Sequence, residues 1–296
     1  MARTQLRGLE IAGIQIGIEV PETCPWEWPD RAIAEYSCLP RGPEVHVGVR
    51  VGNVGRDDLA GEQYAMGSWT FEIARDGEDW VLGLSRAGRR EQLAFFDKDF
   101  NAGEIVLSSD AARGKEYPLQ SPLDEWIVLH RMVARGGLCL NASAVAHRGQ
   151  ARVQLGAANP NLANHWTTPT TTLFGRNTLW IGEDAGSLRV YRTPWGDAMD
   201  PQLGIDARVL DFNLVEEAER PYRELLDAGD AADLLVTHAV VPLCDEGLHE
   251  RVMRNAQRMG ERARVMRLGE SRASSAPMAW QSPQMQSGFA PPRSVV

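Results

Sequence analysis

Ser143 and His147 are the first residues whose types suggest chemistry, because a hydroxyl and an imidazole are what a nucleophile and its base are built from. The other histidines, His46, His130, His165, His238 and His249, show no HxxxH or HExxH spacing. Cys24, Cys38, Cys139 and Cys244 are too scattered for a CxxC pair or a zinc knuckle. Spacing therefore offers no metal site, and the cysteines read as small, half-buried hydrophobes. His165 beside Trp166 is a candidate pocket element or a plain loop histidine. Lysine is confined to Lys98 and Lys115, a shortage that bears on any phosphate chemistry.

The elements that must position these residues begin with strands. Ile14, Ile16, Ile18 and Val20 alternate with polar or small residues, and Val45, Val47, Val49 and Val51 repeat the pattern. Trp69, Phe71 and Ile73 form a third run, and Trp80, Leu82 and Leu84 a fourth. A period of two places each set on one face of a sheet. Pro25, Pro29, Pro40, Gly42 and Pro43 mark a loop between them. Ser121 as cap, Pro122 at the first position and the stripe Trp126, Leu129, Val133 predict a helix that stops at Gly136-Gly137. Strands are expected from Leu138 to Ala146, Ala151 to Leu155, Leu179 to Asp184, Leu188 to Arg192, over 207–215 and over 265–268. Helices are expected over 216–228, 230–239 and 246–259.

Composition narrows the function classes. The 296 residues, 43% hydrophobic and 24% charged, suffice for one large domain or two ordinary ones. Forty acidic side chains against 31 basic give a formal charge of −9, the opposite of a polyanion binder's bias, so no nucleic-acid partner is expected. No apolar run approaches the roughly 18 residues of a membrane span, and Met1 to Gln5 lack a signal peptide's apolar stretch. A soluble, cytoplasmic protein without membrane insertion is expected. Residues 271–296 are rich in Ser, Pro, Gln and Met, lack acidic residues and periodicity, and are expected to be a disordered tail, either idle or with Trp280 and Phe289 as candidate anchors for a protein partner.

The middle of the chain resembles HPr kinase-like proteins, relatives of the phosphoenolpyruvate carboxykinase fold. Leu140-Asn-Ala-Ser-Ala-Val145 resembles their "LHASAV" strand, with Asn141 where histidine is common. Arg152-Val-Gln-Leu-Gly156 follows as the second strand, Glu183-Asp184 stands where an acidic pair falls, and Thr193-Pro194-Trp195 is similar to a "TPW" turn. The resemblance implies an α/β fold: a β-rich N-terminal domain (1–115), then a P-loop-containing mixed-sheet domain with flanking helices (116–270). It also implies that Ser143 lies on a core strand and that Glu183 and Asp184 are the candidates for a base or a Mg²⁺ site, with Asp197 a further acid.

The phosphate loop itself is eroded. Laid over GxxxxGK[ST] from Gly156, the second glycine is Asn161, the lysine Leu162 and the hydroxyl residue Ala163. Leu162 carries no charge, Ala163 no oxygen for a metal, and Pro160 removes one backbone donor. The threonines around Pro169 disfavour the helix whose N-terminus would attract an anion. Arg148, Arg152 and Arg176 are candidates to supply the missing charge, but no sequence pattern places them at the loop. The expectation is a non-catalytic, pseudokinase-like protein acting through protein–protein binding, alone or as a complex subunit, with no cofactor. The competing expectation is an ATP- and Mg²⁺-dependent kinase of a small molecule or protein serine, with arginine replacing the lysine.

Overall fold

Alternating β-branched residues make the N-terminal part a sheet, as the pattern predicts. A computed structural model describes residues 3–55, 59–156, 172–175, 178–195, 206–241 and 245–270. The first sheet has nine strands: β1 (Thr4–Ile11), β2 (Ile14–Pro21), β3 (Ser37–Cys38), β4 (Val45–Val51), β5 (Glu62–Met66), β6 (Trp69–Asp76), β7 (Asp79–Arg86), β8 (Arg89–Phe96) and β9 (Ala102–Leu107). Their order is β3-β1-β2-β4-β9-β8-β7-β6-β5, antiparallel except where β4 runs parallel to β2 and β9. Ile14, Ile16, Ile18, Val45 and Val47 are buried on one face, whereas Val51, at the strand's end, is exposed.

The second sheet follows β10 (Leu138–His147), β11 (Gln150–Leu155), β12 (Thr172–Gly175), β13 (Thr178–Asp184), β14 (Ser187–Tyr191), β15 (Asp206–Glu217), β16 (Tyr222–Leu225) and β17 (Val265–Glu270). It closes on itself. β15 pairs with β14 through residues 206–208 and, on its other edge, runs parallel to β11 through 208–214. Since β11 pairs with β10, β10 with β13 and β13 with β14, five strands form a ring. The β10–β11 and β13–β14 hairpins turn at Arg148-Gly149 and Ala185-Gly186, all four residues having positive φ. Such a two-residue turn needs φ > 0 at both positions, which glycine supplies without steric cost.

The described helices are α1 (Arg31–Ala34), α2 (Ser109–Arg113), α3 (Leu123–Ala134), α4 (Ala228–Thr237) and α5 (Glu246–Gly260). The molecule is thus mixed α/β with two mixed sheets. Two local expectations fail. Pro122, not Ser121, occupies the cap of α3 without a side-chain cap bond; the Ser121 hydroxyl donates to Glu125 Oε1 at 2.9 Å instead. The helix expected over 216–228 is absent. β15 runs to Glu217 and β16 pairs antiparallel with β17, and Pro221 could not have donated a helical hydrogen bond.

α3 is the shared element, packing against β2, β10 and α5. Its Ile127, Val128, Met132 and Val133 join one contiguous core with Ile16 and Ile105 on one side and Leu140, Val153 and Phe212 on the other. Each such side chain contributes about 1.5–3 kcal/mol by leaving water. Asn255 of α5 locks the far end of α3, donating to the carbonyls of Val133 (2.8 Å) and Gly137 (3.0 Å). Among the described residues, no helix is long and apolar enough to cross a membrane.

Candidate functional site

Strand register decides which sequence-predicted residues meet. Gly156 donates its N–H to the Asn141 carbonyl, and Asn141 pairs with Thr178 at the start of β13. Glu183 and Asp184 close the other end of β13, six residues away. At about 3.3 Å per residue that is roughly 20 Å, so the acidic pair stands a strand's length from the pairing beside Gly156. Adjacent strand residues also point to opposite faces, which prevents the two carboxylates from sharing one ion. Glu183 is held by Arg262 through two hydrogen bonds of 2.5 and 3.0 Å, and this contact keeps its carboxyl below the usual range.

The other candidates are dispersed too. Ser143 is buried on β10 opposite Gln154. His147 lies four strand residues further on, about 13 Å away, beyond the reach of a nucleophile–base pair. Arg148 sits at the hairpin end of β11 opposite to Gly156, and Arg152 lies 3.6 Å from Asp211. Lys98 pairs with Glu78 and Lys115 with Glu27, both at 2.9 Å. Asn161, Leu162, Ala163, His165, Trp166, Arg176, Asp197, Cys244, Trp280 and Phe289 lie outside the described residues. Within the described part, the residues around Gly156 do not fit a Mg²⁺–nucleotide: the side chain brought against it is the His238 imidazole, whose pKa burial lowers, and neither lysine nor the acidic pair joins it.

The structure instead assembles a site that no motif announced. A cavity of about 600 Å³ opens between the edge of the first sheet and the ring. It is lined by Tyr64, Met66 and Phe71 of the first sheet, by Glu125 and Trp126 of α3, and by Trp180 with Trp195 of the "TPW" turn. The rings meet in two angled pairs: Phe71 with Trp126 at 6.0 Å and 60°, Trp180 with Trp195 at 6.1 Å and 56°. Angled pairs of this kind fix ring orientation, because edge and face carry opposite partial charge. Cys139 also lines the cavity, but burial pushes its thiol well above the ordinary range, which leaves it unreactive.

Two neighbouring carboxyls stand on the first turn of α3. Asp124 is 1% exposed and has no face on the cavity. Burial pushes its pKa up to about 7. The Trp195 indole N–H pulls the other way, although this pair falls short of hydrogen-bond geometry. The Asp124 carboxyl also accepts the Glu125 N–H at 2.9 Å. Glu125 does line the cavity; burial raises its pKa, and the Ser121 hydroxyl opposes that rise. Neither carboxyl has a basic partner among the described residues. Behind them, His130 is buried among Trp80, Phe100 and Trp126, with no hydrogen-bond partner for either nitrogen. Burial and then the Arg251 charge hold its pKa down at about 3, so it is neutral 3.7 Å from Asp245. No family model matches the chain, and no curated protein sequence matches it.

Proposed function

We propose that this chain is a non-catalytic HPr kinase-like protein that acts by binding another protein, as a subunit of a larger assembly. The observation that carries the reading is the separation of the acidic pair from Gly156 along β13. Phosphoryl transfer depends on a cation, a lysine or arginine and the phosphates meeting at one point, because its catalysis is positioning plus electrostatic stabilisation. The described residues supply no such point, and the sequence of the loop supplies Leu162 and Ala163 where the lysine and hydroxyl would act. The order of strand, hairpin, strand and acidic strand end around β10, β11 and β13 supports kinship with that group. In this proposal the tail carrying Trp280 and Phe289 supplies the partner contact.

Affinity capture with the intact chain and with residues 1–270 tests the proposal. The expected result is a partner recovered in constant ratio through gel filtration by the intact chain alone. Equal recovery by 1–270 would overturn the tail assignment. A lone monomer that phosphorylates a substrate would overturn the binding role.

A further inference from the structure

We propose that the aromatic cavity between the two sheets binds a small organic cation, an ammonium group carried on an apolar body. The inference stands apart from kinship with kinases, since it uses none of the residues around Gly156.

Three observations define the ligand. The first is volume: about 600 Å³ lies within the range of cavities that bury a drug-sized molecule, and far exceeds what an ammonium head group alone would fill. The second is the walls. Tyr64, Phe71, Trp126, Trp180 and Trp195 surround the space, and aromatic faces carry the negative side of a quadrupole that attracts cations. The third is charge. Among the described residues of the lining, Glu125 is the sole carboxyl, no Lys, Arg or His stands beside it, and the hydrogen bond it accepts comes from the neutral Ser121 hydroxyl. A half-buried carboxylate without a cation is unfavourable, and a ligand ammonium beside it removes that cost.

The electrostatics therefore rank ligands of one shape. A cation gains from both Glu125 and the ring faces, a neutral molecule gains only apolar burial, and an anion is repelled by Glu125. Trp126, Trp180 and Trp195 provide the signal, because a molecule seated among them changes their fluorescence.

The test titrates the full chain at pH 8 with 4-phenylbutylammonium, 4-phenylbutanol and 4-phenylbutyrate, by tryptophan fluorescence and calorimetry. The ammonium is expected to bind about tenfold more tightly than the alcohol, and the carboxylate more weakly than either. Glu125→Gln is expected to weaken ammonium binding several-fold, towards that of the alcohol, and leave the alcohol unchanged. Equal binding of the three probes to the wild-type chain, a preference for the carboxylate, or no binding of any probe would overturn the proposal. The wild-type ranking decides it even if the variant fails to fold.

Discussion

Replacing Asp124 by Asn should stabilise the protein at pH 8 and do progressively less as the pH falls. Asp124 lies 1% exposed on the first turn of α3, and burial lifts its pKa from 3.8 to about 7. The folded chain therefore holds the Asp124 proton more tightly than the unfolded chain does. Stability tied to this group is complete below pH 3.8 and is lost as the pH rises towards 7, because the folded state must then bury a carboxylate. The gap between 3.8 and about 7 corresponds to at most about 4 kcal/mol. An amide avoids that loss and keeps an oxygen to accept the Glu125 N–H. Part of the gain is given back, since a negative charge on the first turn favours the helix dipole by about 0.3–1 kcal/mol. Urea denaturation of both proteins at pH 4, 6 and 8 measures the difference. The Asn variant should be more stable by roughly 2–4 kcal/mol at pH 8 and nearly equal to the parent at pH 4. A difference independent of pH, or a less stable variant at pH 8, would refute the buried-carboxyl argument.

Other changes probe the rest of the framework. His130, neutral in the fold with a pKa near 3 against 6.5 unfolded, makes the protein lose stability as pH falls from 6.5 towards 3. His130→Phe keeps the ring among Trp80, Phe100 and Trp126, so acid unfolding followed by circular dichroism should begin at lower pH; an unchanged midpoint would contradict this. The buried Glu72–Arg90 pair, in contact at 2.6 Å and both at most 6% exposed, should make Glu72→Ala cost about 3–5 kcal/mol in denaturant titrations, because Arg90 is left uncompensated. A loss below 1 kcal/mol would show that water or another carboxyl replaces the partner.

Much of the fold is legible in the sequence because its signals are local. The period-two runs Ile14–Val20, Val45–Val49 and Trp80–Leu84 became strands with the expected buried faces. The stretch 216–228 departs from its expected helix: its Glu and Leu residues suit a helix in isolation, while pairing of β16 with β17 outweighs that preference. The buried state of Asp124 was readable: it precedes Ile127 and Val128 by three and four residues, on the apolar face of α3. The cavity was not, since its aromatic residues come from four separate segments that only the tertiary fold brings together. Glu183 and Asp184 show the same limit. The sequence marks them as a strand end, but their distance from Gly156 depends on the direction in which β13 pairs with β10.

The most direct test of the central claim is calorimetric titration of the intact chain with ATP, with and without Mg²⁺. No saturable binding is expected up to millimolar nucleotide in either condition. Micromolar affinity that Mg²⁺ strengthens, and that Asp184→Ala abolishes, would contradict it.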